Sequence, residues 1–218
     1  MIGRYPSGVP SLRPLGAALV GYLFGTIPSA DVAARLATGG TVDLRASGTG
    51  NPGAANAIKV LGPAWGYAVL AADVSKGAAA CAAGGRLAGP RGAHLAGTAS
   101  VVGHCFPVWN GFRGGKGVGC SIGQCLMTFP AYVPVDLVLA ALTGTRRWRS
   151  RAYAATLVAS TAWVAGAALW WHRRWPNAWA PRATADLPLA AAASSAVILY
   201  RFATARPLPT GPPPRPEQ

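Results

Sequence analysis

Residues 103–119 read GHCFPVWNGFRGGKGVG, with two cations, Arg113 and Lys116, set among Gly114, Gly115 and Gly117. Glycine lets backbone N–H groups turn toward an anion in conformations that other residues resist. A helix N-terminus after such a loop adds partial positive charge. The chemistry this points to is phosphate binding, with Lys116 and Arg113 supplying full charges. A second glycine-rich run, VDLRASGTGNPGAANAIK over 42–59, brings Asn51, Asn56 and Arg45, and a guanidinium can fork onto two phosphate oxygens. Gly-Gly-Lys-Gly resembles a nucleotide-hydrolysing loop only superficially, because the six-residue Gly frame and the following Ser or Thr are absent.

Three further groups could act near these loops. His104 titrates in the range that suits proton transfer at neutral pH, while the default for a lone helical histidine is a hydrogen-bonded structural group. Asp73 and Lys76, in DVSKG (73–77), lie one helical turn apart, and the spacing fits either an ion pair or a functional pair inside a membrane. Asp31 is expected to pair with Arg35 at i,i+4. Asp136 has no local partner and no role is assigned to it. His94 and His172 read as segment-end residues. The four cysteines, Cys81, Cys105, Cys120 and Cys125, have no metal-like spacing and read as small core residues, so no metal site is expected.

The elements that must position these groups follow from composition. Of 218 residues, 51% are hydrophobic and only 12% charged, which is too apolar for an ordinary soluble domain. The 28 glycines suit helices packed closely in lipid. The expected fold is an all-α polytopic membrane protein with about seven transmembrane segments, some short, and Gly-rich cytoplasmic-side loops. Spans of about 20 apolar residues are expected at 14–37, 63–88, 93–110, 152–171 and 186–203. Residues 117–145 are too long for one helix and are interrupted by Pro130 and Pro134; two crossings are expected there. The first apolar run is read as a retained helix. Residues 1–205 form one domain and 206–218 a Pro-rich disordered tail.

Two crossings over 117–145 place Arg146, Arg147, Arg149 and Arg151 on the side that holds Arg45, Lys59, Arg113 and Lys116. Lys and Arg accumulate in cytoplasmic loops, so the N-terminus is expected outside and the glycine-rich loops inside. Trp170, Trp171, Trp175 and Trp179 read as an interfacial belt. The net charge of +14 is spread between apolar runs without a basic helix or aromatic platform. Anionic lipid and phosphate are the expected partners, and nucleic acid is not.

GTIPSA, DLRASGTGNPGAANAIKVLG, DVSKG and GHCFPVWNGFRGGKGVG follow one another in an order and spacing that resemble the bacterial membrane-embedded acyl-phosphate:glycerol-3-phosphate acyltransferases. The resemblance runs from about residue 20 to 120. It implies transfer of a fatty acyl group from acyl phosphate to the 1-hydroxyl of glycerol 3-phosphate, giving lysophosphatidic acid and phosphate. It implies no cofactor and no obligate protein partner, membrane phospholipid as surroundings, and a multi-pass protein of the bacterial plasma membrane with a cytoplasmic-side site. By matched position, Arg45, Thr49 and His104 are the implied catalytic residues. Asn51, Asn56, Lys76, Arg113, Gly114, Gly115, Lys116 and Gly117 are implied to bind substrate. The family is thought to let a substrate phosphate oxygen take the hydroxyl proton; His104 is the protein-side alternative.

The chain departs from the family pattern at several positions. Thr49 replaces a serine, Ala55 a threonine and Arg113 a lysine; near the end, YRFATARPLPTG keeps Arg201 but has Phe202 where a histidine is expected and Ala205 near an expected asparagine. The alternative these losses raise is a catalytically impaired paralogue that binds acyl phosphate or lysophospholipid without turnover. A transporter is disfavoured because no internal repeat is visible.

Overall fold

The computed structural model describes residues 12–143 and 151–205, and every regular element among them is helical. The arginine cluster at 146–149 and the tail at 206–218 lie outside the described residues. The first apolar run forms two helices, α1 (Arg13–Gly25) and α2 (Ser29–Thr38), rather than one. Pro28 has no N–H to donate and pushes Ile27 out of the helical region, which opens the chain at Thr26–Pro28. Gly39, with a φ of 63°, ends α2 in the left-handed conformation. The short helix α3 (Ala54–Leu61) leads into α4 (Pro63–Cys105).

The α4 helix is two arms. Ala88 and Gly89 leave helical geometry, Pro90 follows, and the chain folds back on itself. A Cβ at Gly84 would collide with the Gly92 carbonyl, and one at Gly97 with Cys81, so the arms touch backbone to backbone. Similar contacts set Gly21 and Gly25 of α1 against Ala96 and Ser100. This is the close approach that small residues allow in lipid, where packing rather than water exclusion holds helices together.

Four further helices complete the bundle: α5 (Val118–Thr128), α6 (Val133–Thr143), α7 (Ala152–Arg173) and α8 (Asp186–Ala203). Phe129, Tyr132, Trp163 and Leu187 form one buried cluster, and Val101, Cys105, Cys120 and Ile198 another. All four cysteines are buried and unbridged. Between α4, α5 and α8 the Ser194 hydroxyl donates to Gln124 Oε1 at 2.8 Å, and Gln124 Nε2 to Thr98 at 3.4 Å. Outward-facing Leu15, Leu19, Leu137 and Leu189 are each at least 60% exposed, as suits side chains that face acyl chains.

Among the described residues, two segments are by length and composition apolar enough to cross a membrane, Arg13–Thr38 and Ala152–Arg173, and the bent pair α5 and α6 makes a third if it is one span. The expected pair of crossings over 117–145 is instead a bent pair, α5 and α6, turned by 113° where Pro130 interrupts the chain. At about 1.5 Å per residue, the 11 residues of α5 reach about 16 Å, half of a hydrocarbon core of roughly 30 Å. His94 lies near the start of the second arm of α4, close to the break, and is buried there.

Candidate active site

The break between α1 and α2, the two arms of α4 and the 106–117 loop converge on one small polar pocket. Asp73 and Lys76 come from the first arm, His104 from the end of the second, and Gly114 and Gly115 from the loop. Asp31 and Arg45 enter from the other side.

The α4 side carries a buried chain of charge. Lys76 Nζ lies 2.9 Å from Asp73 Oδ1 and donates to the Ile27 carbonyl, also at 2.9 Å. That carbonyl is available because Pro28 interrupts the helix. His104 Nδ1 stands 3.5 Å from Asp73 Oδ1, and a Cβ on Gly115 would strike His104 Nε2. The imidazole is therefore held with one nitrogen toward a carboxylate and the other toward the glycine loop. The ion pair within DVSKG exists, and it forms a wall of the pocket.

Across the pocket Arg45 forks onto Asp31, with Nη1–Oδ1 at 2.5 Å and Nη2–Oδ2 at 3.0 Å, and its Nε donates to the Arg113 carbonyl at 3.0 Å. Asn110 Nδ2 adds a bond to Asp31 Oδ2 at 2.9 Å. The expected Asp31–Arg35 pair is thus replaced by one that spans two loops, because the chain turns back after Gly39 and brings Arg45 to the carboxylate. Asp31 and Asn110 are site residues that local spacing misassigned or passed over. A carboxylate just after a proline break in an apolar run was the available signal.

The glycine loop is built differently from an open cradle of N–H groups. Gly114 N–H donates to the Cys105 carbonyl and Gly115 N–H to the His104 carbonyl, each at 3.1 Å. These bonds satisfy carbonyls that the end of α4 leaves open. Gly114 and Gly115 supply room instead, since a Cβ at either would meet His104. Gly117, at a φ of 87°, turns the chain into α5. From α8, Arg201 donates to the Gly114 carbonyl at 2.7 Å and the Gly115 carbonyl at 3.1 Å. Lys116 Nζ sits 4.2 Å from the centroid of the Phe202 ring. Partial burial first, and then the Arg201 charge, hold the Lys116 ammonium below the ordinary lysine range. Arg113 is exposed, beside the pocket rather than in it.

The 42–53 loop divides its expected residues. Asn56 is 1% exposed; its amide donates to the Leu44 and Ser47 carbonyls at 2.9 Å and accepts from Thr49 N–H at 2.7 Å. These three bonds shape the loop from within, and Asn56 does not line the pocket. Thr49 is exposed and Asn51 half-buried; neither lines the pocket, which Pro52 does.

A second, apolar groove of about 780 Å³ runs from Val118 and Ile198, directly below the Gly117 turn, along α5, α6 and α7 to Trp163. Asp136 lies on its wall. The polar pocket is lined by Gly114 and Gly115 and the apolar groove by Val118, three residues further along the chain.

A family model described as glycerol-3-phosphate acyltransferase matches residues 15–206. The chain is 39% identical over 165 residues to a glycerol-3-phosphate acyltransferase of Bradyrhizobium diazoefficiens, covering 75% of this chain and 79% of that protein. It is 39% identical over 158 residues to one from Rhodopseudomonas palustris strain BisB5, covering 72% and 77%. Among solved structures it is similar to PlsY, an integral membrane glycerol 3-phosphate acyltransferase, in its glycerol 3-phosphate form. The TM-score is 0.66 at 28% identity, over 91% of this chain and 96% of that one. The lysophosphatidic acid form of PlsY matches with a TM-score of 0.65 at 27% identity, over 91% and 95%.

Proposed function

The chain belongs to the glycerol-3-phosphate acyltransferase family, and from that premise we propose that it transfers a fatty acyl group from acyl phosphate to the 1-hydroxyl of glycerol 3-phosphate. The observation that carries the reading is the line Asp73–His104–Gly115, which shares a pocket with Lys76 and Arg45. A carboxylate that orients an imidazole leaves the far nitrogen to accept a proton.

In the reaction, the substrate hydroxyl oxygen forms a bond to the acyl carbon and the bond from that carbon to the phosphate oxygen breaks. Phosphate leaves with the electron pair, and the hydroxyl proton passes to His104 Nε2. Acyl phosphate already has a good leaving group, so positioning and charge stabilisation supply most of the rate. Arg45, whose fork rests on Asp31 in the structure, would exchange that carboxylate for phosphate oxygens, and Lys76 and Lys116 add positive charge on either side of the glycine loop. The fatty tail would lie in the apolar groove that begins at Val118. The products are lysophosphatidic acid and phosphate, released at the cytoplasmic face of a bacterial plasma membrane; the cations Arg45, Arg113 and Lys116 at the pocket end support that orientation.

The test is incubation of the purified protein in lipid cubic phase with palmitoyl phosphate and glycerol 3-phosphate, with phosphate and lysophosphatidic acid measured together. Equal yields, lost in Arg45→Ala, are expected. Product from palmitoyl-CoA but not from palmitoyl phosphate, or no product from a folded sample, overturns the proposal. Full turnover in His104→Gln would move the proton to a phosphate oxygen of the substrate.

A further inference from the structure

About 15 Å along α4 from His104, by the rise of ten helical residues, a different cavity opens at the other end of the bundle. It lies between the α4 kink, the end of α5 and the 174–185 segment. The pocket described above does not reach it. Two buried side chains on its wall hold polar atoms that no group among the described residues satisfies: His94, 9% exposed, at Nδ1, and Asn177, 3% exposed, at Oδ1. The Asn177 amide is fixed in orientation, because its nitrogen donates to the Thr128 and Pro181 carbonyls, both at 3.0 Å. Its oxygen therefore requires a donor from elsewhere. Buried polar atoms without partners are costly, and native structures rarely keep them without an occupant that bonds to them.

The rest of the lining says what that occupant is. Arg182 brings a full positive charge to the wall, and Ala82, Ala93 and Met127 are apolar. The adjoining carboxylate, Asp186, faces Arg91 at 3.9 Å. Trp179 donates to the Leu126 carbonyl at 3.2 Å and Trp170 to Pro176 at 3.0 Å, which marks this end of the bundle with the aromatic side chains typical of a headgroup layer. An occupant must offer an anion to Arg182, a hydroxyl to Asn177 Oδ1 and an apolar body to the small residues of α4.

We propose that this cavity binds an anionic phospholipid with a hydroxylated headgroup, its phosphate diester on Arg182, its headgroup hydroxyl on Asn177 and its glycerol-ester region against Ala82 and Ala93. The shared chemistry is a phosphate group, which a soluble phosphate could also offer; the apolar wall and the hydroxyl-accepting amide select the lipid. Binding here is separate from the acyl transfer reaction and uses none of its residues.

The experiment is native mass spectrometry and thermal unfolding of the full chain in detergent, with phosphatidylglycerol, phosphatidylcholine or inorganic phosphate added. Retention of phosphatidylglycerol over phosphatidylcholine is expected to fall about tenfold in Arg182→Ala, the loss of one charge-assisted contact. Arg182 is exposed, so this variant folds. Ala82→Phe, which fills the cavity, is expected to abolish the preference in a sample that keeps wild-type acyl transfer. Equal retention of both lipids, an unchanged preference in Arg182→Ala, or the same stabilisation from inorganic phosphate alone overturns the proposal.

Discussion

Lys116 Nζ stands 4.2 Å from the centroid of Phe202, so the last cation of the glycine loop rests on the face of an aromatic ring from the final described helix. Where the family pattern has a histidine, this chain seats the lysine on a group that does not titrate. An ammonium over an aromatic face gains about 0.5–2 kcal/mol, depending on desolvation. Phe202→Leu is therefore expected to raise KM for glycerol 3-phosphate about threefold to tenfold, and Phe202→Tyr to leave it near wild type. A fall in kcat with KM unchanged would show that the ring serves some other end.

The contacts from Arg201 to the Gly114 and Gly115 carbonyls are charge-assisted, a class worth about 1.5–3 kcal/mol. Arg201→Ala is expected to lower kcat/KM by roughly tenfold to a hundredfold without unfolding the bundle. Arg201→Lys, which reaches one carbonyl instead of two, falls between. Wild-type kinetics in Arg201→Ala would sever α8 from the site.

The pH profile follows from Lys116. Its ammonium is held below the ordinary lysine range by burial and by Arg201, so as pH rises it loses its charge earlier than an exposed lysine does. If the charge binds phosphate, activity declines on the alkaline side, at a pH below 10.5. Lys116→Arg stays charged and is expected to move that decline to higher pH. Arg201→Ala removes one cause of the shift and should move it the same way. An alkaline limb that does not respond to either variant rules Lys116 out as its source.

Asp73 is the buried anion between two basic groups. Removing one partner of a buried pair costs about 3–5 kcal/mol. Asp73→Asn is expected to unfold at markedly lower temperature, measured by thermal shift in detergent. Asp73→Asn with Lys76→Met should recover much of that stability and none of the activity. A double variant that regains turnover would reduce the pair to scaffolding.

Asn56 offers a separate check on the 42–53 loop. Asn56→Ala removes three hydrogen bonds to loop backbone, each worth about 1 kcal/mol net. Faster amide exchange across residues 44–50 is expected, with a loss of activity larger than that of Thr49→Ala, whose side chain lies outside the pocket. Unchanged exchange would show that the loop is held by other means.

The helical membrane class was legible because composition and apolar run length report it directly. So was the pocket's outline, since Arg45, Lys76, His104, Gly114 and Gly115 all arrive at it. What sequence spacing missed was long-range. Asp31 has Arg35 one turn away on its own helix, yet its partner is Arg45, which only a turned chain can deliver. The glycines suggested N–H groups free for phosphate; whether those groups are free depends on the end of α4, where Cys105 and His104 claim them. Run length also hid local breaks: Pro28 and Pro130 each interrupt a helix inside an apolar run, which length alone does not show.

The grip of Arg201 on Gly114 and Gly115 ties catalytic readiness to biosynthesis. A ribosome that has released only α1 to α7 has already threaded the histidine, the lysines and the glycines into the bilayer, but their loop still lacks the guanidinium that steadies it. Such a nascent chain could meet a reactive acyl donor with its machinery half assembled. With the clasp on α8, the loop is steadied only after a helix more than 80 residues further along the chain has packed against it.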